Sequence, residues 1–217
     1  MNVQLPDPVT LIAVLGGLAL VPFIAIMVTS FVKLSVVLTL IRQALGVQSI
    51  PPNSAIYGLS IILTVYIMAP VGMNIYDALK DKDLQLSQAE RTLREIEEAA
   101  EPFKAFLKKH VKPEQQDFFF RTTRSIWPEK LANEVGRDSY MILIPAFTVS
   151  ELTTAFEIGF LIYLPFIVID LIVSNILLAM GMMMVSPLTI SLPFKLFLFV
   201  MMDGWSRLIH GLVLTYQ

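Results

Sequence analysis

Hydrophobic positions come in long runs along this chain, and a single polar block divides them into two halves. The run Val9 to Val32 carries no charge, and apolar sequence continues past Lys33 to about Arg42. Such a run is long enough to cross a hydrocarbon core, which takes about 20 apolar residues. No Lys or Arg precedes it, and it is too long for a signal-peptide core, so it reads as retained. Gly46 and Pro51-Pro52-Asn53 mark a turn, with Asn53 or Ser54 placed to cap the next helix. That helix is expected from about Ala55 to Tyr76, with a kink at Pro70. Residues 1–76 therefore predict one hydrophobic helical hairpin.

From Asp77 to Ser139 the pattern changes to that of a water-facing helical block. Leu86, Ala89, Leu93, Ile96, Ala100, Phe103 and Leu107 alternate steps of three and four, which places them on one helical stripe. The stripe fits packing on a partner subunit or on its own domain equally well. Pro102 interrupts it and is positioned to start a second helix. Phe118-Phe119-Phe120 and Ile126-Trp127-Pro128 form an aromatic cluster, either an interfacial anchor or, more economically, a small buried core.

Apolar sequence resumes at Tyr140 and runs to Met184, too far for one straight crossing. Pro145 and Pro165 are expected to break it into a piece carrying Glu151 and Glu157 and a second, from about Ile158 to Met180, carrying Asp170. The last segment, Leu188 to Leu214, holds Lys195, Asp203, Arg207 and His210. Gly181 and Pro187 bracket a short connection, so residues 140–217 predict a second hydrophobic hairpin with a methionine-rich loop at 180–187. Met182, Met183 and Met184 cannot all face one side of a helix. They form either a compliant apolar lip, since thioethers are flexible and polarisable, or simple gap filling. The fold class is all-α, with membrane-type helical hairpins of about four hydrophobic segments, some broken, flanking the central block.

Composition sharpens this picture. Hydrophobic residues make up 55% of the chain, and 16 basic side chains face 18 acidic ones. That is a membrane-protein composition, and the interleaved charges leave nucleic-acid binding without support. Cysteine is absent, which excludes thiol catalysis, disulfides and Cys-based zinc sites. There is no H-E-x-x-H, no G-x-S-x-G and no glycine-rich phosphate loop, so neither a metal nor a cofactor nor an enzyme is expected. Ser206 and His210 lie one helical turn apart, but no oxyanion device or orienting partner accompanies them.

The informative chemistry is charge inside apolar helices. Lys33, Glu151, Glu157, Asp170, Lys195 and Asp203 would each cost several kcal/mol against lipid, so each must face protein, water or another charge. Lys33 and Asp170 are expected in inter-helix or inter-subunit polar contacts, with Ser174 and Asn175 supplying hydrogen bonds to Asp170. Asp203 and Arg207 stand four apart, on one helical face, and can pair locally. A proton relay is the sharper alternative, but no second acid or His follows Asp170 at helical spacing.

Several segments carry a resemblance. Met27-Val28-Thr29-Ser30-Phe31, Leu40-Ile41-Arg42-Gln43-Ala44-Leu45-Gly46, Pro51-Pro52-Asn53 and Ile67-Met68-Ala69-Pro70 resemble the FliP/SctR family in the first half. In the second half Phe147-Thr148-Val149-Ser150-Glu151-Leu152, Ala155-Phe156-Glu157-Ile158-Gly159-Phe160 and Ile169-Asp170-Leu171-Ile172-Val173-Ser174 do so too. Gly181-Met182-Met183-Met184, Leu192-Pro193-Phe194-Lys195 and Asp203-Gly204-Trp205 complete the set. The likeness covers all but the central block and looks like the virulence-system branch, SctR or YscR, of the core export-apparatus proteins of type III secretion. It implies a homo-pentamer completed by SctS-type and SctT-type subunits, with an SctU-type protein attached, in the bacterial inner membrane. Unfolded secreted proteins would be the cargo. It further implies that Met182, Met183 and Met184 line the constriction as a gasket, that the block 77–139 is periplasmic, and that the assembly stands largely above the bilayer.

The competing class is a small-solute or ion transporter subunit using Asp170 and Lys33. Such a protein is expected to show repeated hydrophobic halves with matching breaks, and the two hairpins here do not repeat.

Overall fold

The computed structural model describes residues 15–16, 19, 22–23, 25–47, 49–80 and 97–217. They form α1 (Phe31–Ala44), α2 (Asn53–Lys80), α3 (Glu101–His110), α4 (Pro113–Ile126), α5 (Glu129–Glu134), α6 (Tyr140–Ala179), α7 (Pro187–Met201) and α8 (Gly204–Leu214). No strand occurs among the described residues, and the all-α class expected from the hydrophobic pattern is the one adopted. α2 and α6 are each long and apolar enough to cross a membrane, and α7 with α8 would make a third, bent crossing.

Several boundaries differ from the sequence expectation, each for a local reason. A turn at residues 28–30 separates α1 from the preceding run, most of which lies outside the described residues. There Thr29 Oγ1 accepts from the Phe31 N–H at 3.5 Å, a local bond that competes with helix continuation. α2 starts at Asn53 itself, because the Asn53 side chain does not cap: its Oδ1 accepts from Arg42 Nη1 at 2.6 Å and ties the turn to α1. Pro70 sits inside α2 without ending it.

α6 is one unbroken helix of 40 residues that contains both Pro145 and Pro165, so the expected break is absent. A proline deletes one helical hydrogen bond and bends the chain, but helix persists where the flanking turns are held. Here Ala146 and Phe147 hold the turn beside Pro145, and Phe166 holds the one beside Pro165. At 1.5 Å per residue α6 is about 60 Å long, roughly twice a hydrocarbon core. Its first half carries most of its buried residues, from Ile142 through Gly159.

The last segment shows the opposite error. Instead of one helix it is two, bent by 62° between Met201 and Gly204. Asp203 takes up the bend at φ 53°, a left-handed conformation unusual for a residue with a side chain. The next residue must be small, because a Cβ on Gly204 would lie 2.4 Å from the Phe199 ring.

Two hydrophobic cores result. The first joins Leu34, Val37, Leu38 and Ile41 of α1 to Ile56 of α2, Ala155 and Phe166 of α6, Phe199 of α7, and Leu208 and Leu212 of α8. The second joins Phe106, Leu107 and Val111 to Leu143, Ala146 and Phe147 of α6. The polar block is thereby fixed to the second hairpin, each fully buried leucine or phenylalanine contributing about 1.5–3 kcal/mol. Four members of the expected stripe, Leu86, Ala89, Leu93 and Ile96, lie outside the described residues. Phe103 and Leu107 pack within the same chain. Pro102 opens α3 as expected. The aromatic cluster is not a small core: Phe118 and Ile126 are exposed, and Phe119 alone reaches the second core.

Candidate functional site: an exposed methionine turn above buried ion pairs

α6 ends in a turn dictated by glycine. The Met182 N–H donates to the Leu177 carbonyl at 2.9 Å and the Gly181 N–H to the Leu178 carbonyl at 3.0 Å, with Gly181 at φ +72°. This paired closure needs a left-handed residue, which glycine adopts without strain. Pro187 then starts α7 in its first turn. The intervening sulfurs have nowhere to pack: Met182 is 43% exposed, Met183 82% and Met184 102%. Gly181 and Pro187 thus set a turn that projects three thioethers away from the chain's own cores.

Below the turn, α6 and α7 are joined by charge. Lys195 Nζ lies 2.6 Å from Asp170 Oδ2 and 3.1 Å from the Ala44 carbonyl, and the Ser191 hydroxyl donates to Asp170 Oδ1 at 2.5 Å. Among the described residues, neither Ser174 nor Asn175 bonds to Asp170. Asn175, five positions on, falls on another face of α6, while Lys195 and Ser191 reach across from α7. Asp170 and Lys195 border an open cavity of about 710 Å³ that Arg42, Gly46, Tyr163 and Thr189 also line.

A second buried pair locks four parts of the chain together. Lys33 on α1 and Glu151 on α6 are each 2% exposed and 3.2 Å apart. The Tyr216 hydroxyl donates to Glu151 Oε2, and Lys33 Nζ sits 3.6 Å from the centre of the Tyr216 ring. That ring stacks on Phe106 and meets His110 edge-on, both on α3. Burial first, then the Lys33 and Lys109 cations, hold the His110 imidazole down at about 4. Tyr216 was not among the residues singled out by sequence, since a tyrosine just after an apolar helix carries no signal of its own.

The remaining charges serve the block. Lys112 bridges to Glu157 of α6 at 2.9 Å, and the Lys112 N–H donates to Ser150 Oγ at 3.0 Å. Lys108 donates to Asp138 at 2.6 Å, and this hydrogen bond holds the carboxyl below the usual carboxylate range. Arg137 pairs with Asp117. Among the described residues the side chains of Asp203 and Arg207 do not pair: Asp203 caps α8 with a left-handed backbone, and its carbonyl, not its carboxylate, meets the Arg207 N–H at 3.1 Å.

An exposed methionine turn thus stands over two helices joined by the Asp170–Lys195 pair, with the fully buried Lys33–Glu151 pair tying α1 to α6. Comparison with known proteins gives the family. The chain is 58% identical over 214 residues to Yop proteins translocation protein R of Yersinia pestis, covering 99% of each chain. It is 46% identical to hypersensitivity response secretion protein HrcR of Ralstonia nicotianae, over 96% of this chain and 97% of the relative. Virulence protein YscR of Salmonella typhimurium is also 46% identical, over 99% of this chain and the whole of that one. The model of the FliP family matches residues 14–212, a span holding the methionine turn and both buried pairs, and the chain belongs to that family.

Proposed function

We propose that this chain is a structural and gating subunit of a type III secretion export pore, through which unfolded proteins cross the bacterial inner membrane. The observation that carries the reading is the exposure of Met183 and Met184 on a turn fixed by Gly181 and Pro187. Arranged around an axis, several such turns form a ring of thioethers that closes against ions by exclusion and deforms around side chains of any shape. The names of the relatives, translocation and secretion proteins among them, support this assignment. Five copies, with SctS-type and SctT-type subunits and an SctU-type protein, build the pore. The block 77–139 faces the periplasm, and the assembly stands largely above the bilayer. The length of α6 favours that arrangement, since about half of it exceeds a single crossing.

A solute transporter on Lys33 and Asp170 is disfavoured because both charges already have buried partners in the chain. Replacing Met182, Met183 and Met184 together by Ala tests the gasket. Assembled variant complexes in vesicles should leak small ions several-fold faster than wild type at rest. Equal leakage from fully assembled variants refutes it.

A further inference from the structure

The charges carried by α1, α6, α7 and α8 nearly all find partners inside the chain, and the exceptions are informative. Across the described residues of α1, α6, α7 and α8 with the α7–α8 bend, the acids are Glu151, Glu157, Asp170 and Asp203, and the bases Lys33, Arg42, Lys195 and Arg207. Glu151 is met by Lys33, Glu157 by Lys112 and Asp170 by Lys195. Arg42 donates to Pro51 and Asn53. One acid and one base remain, Asp203 and Arg207, and among the described residues neither side chain has a hydrogen bond or ion pair.

Both leftover charges are exposed in an otherwise apolar segment. Arg207 shares its outer face of α8 with His210, one turn on, while Leu208 and Leu212 face the core. That face cannot be turned to lipid without a cost of several kcal/mol. Asp203 caps α8 from a left-handed backbone and its carbonyl accepts the Arg207 N–H at 3.1 Å, yet the two side chains do not pair within the chain. Arg207 also borders a cavity of about 320 Å³ lined by Ile162, Phe166, Phe199 and Leu208. Phe197, Val200 and Met201 stand exposed on α7 next to Asp203.

We propose that the α7–α8 bend is a seam between copies of this chain, in which Asp203 of one copy pairs with Arg207 of the next and exposed α7 side chains fill the apolar cavity beside it. One acid and one base of opposite sign on one surface suit a head-to-tail contact, in which each copy gives one charge and receives the other, and such contacts close into rings. The proposal rests on the self-assembly in the function proposed above, and not on the methionine gasket.

The chain has no cysteine, which makes the test direct. Asp203→Cys and Arg207→Cys chains, separately tagged and co-expressed with the other export subunits, should give a mixed disulfide dimer on mild oxidation, whereas either variant alone should give little. Asp203→Arg or Arg207→Asp alone should lower the yield of assembled ring by about tenfold or more, and the double reversal should restore most of it. An assembled ring with no mixed dimer and full yield from Arg207→Asp overturns the pairing while leaving the proposed function standing. A wild-type chain that never associates with its own copies overturns both. Each single variant is compared in parallel for thermal unfolding of the solubilised chain. Loss of ring with unchanged unfolding supports the seam, and loss of both without rescue by the double reversal counts against it.

Discussion

Replacing Lys33 by Met should be far more damaging than replacing Lys33 and Glu151 together by Met and Leu. Lys33 and Glu151 are each 2% exposed and 3.2 Å apart, so Lys33→Met leaves a carboxylate sealed in the protein with the Tyr216 hydroxyl as its remaining partner. Breaking a buried pair from one side costs about 3–5 kcal/mol, whereas exchanging both partners for apolar groups of similar volume is often close to neutral. The double variant still leaves the Tyr216 hydroxyl without its acceptor, a penalty of about 1–3 kcal/mol. The expected order is wild type, then the double variant, then Lys33→Met. The coupling between the two sites should then be about 2 kcal/mol or more, opposite in sign to simple addition. Unfolding in mixed micelles, followed by circular dichroism against the mole fraction of denaturing detergent, measures all four corners of the cycle. A Lys33→Met variant within about 0.5 kcal/mol of wild type, against a usual cost for a core change several times larger, would refute the reasoning.

Three further outcomes follow from named contacts. A Cβ on Gly159 would lie 2.3 Å from Leu40 Cδ1 and 3.2 Å from Leu40 Cβ, so Gly159→Ala should cost about 1–3 kcal/mol, and Leu40→Ala in the same chain should recover part of it. His110 is held neutral, with its ordinary value of 6.5 lowered to about 4 in the fold. Its contribution is therefore complete above about pH 6.5 and lost as pH falls toward 4, where the unfolded chain takes up the proton first. His110→Phe should flatten that part of a stability-against-pH curve, and an unchanged acid limb would contradict the assignment. Tyr216→Phe keeps the ring over Lys33 but removes the bond to Glu151, so it should destabilise by about 1.5–3 kcal/mol, less than Lys33→Met in the same assay.

What could be read in advance was whatever depends on a short stretch of chain. Gly181 and Pro187 specify the methionine turn by backbone chemistry alone, and three consecutive methionines cannot all face one side of a helix. Pro102 likewise marks the start of α3. The need of Lys33 and Asp170 for partners was also legible, because an unpaired charge in an apolar helix is too costly. The identity of the partners was not: Glu151, Tyr216, Ser191 and Lys195 come from helices whose juxtaposition is set by the two cores. The errors share one cause, that continuity of a helix is decided by tertiary packing. Pro145 and Pro165 sit in a helix that neighbouring side chains hold together, while Asp203, with no proline near it, sits at a bend where the Phe199 ring leaves room for nothing larger than Gly204. The expected local pairing of Asp203 with Arg207 is not formed, since Asp203 caps α8 from a left-handed backbone instead of sitting within the helix.

The proposed pore requires copies of this chain to gather around an axis with their methionine turns facing inward. An image of the particle purified in mild detergent, carrying a Met183→Cys substitution labelled with a heavy-atom cluster, tests it most directly, since the chain has no other cysteine. The expected image is a ring of several copies with the label concentrated at its centre. Single copies, or a ring with the label on its outer edge, would contradict it.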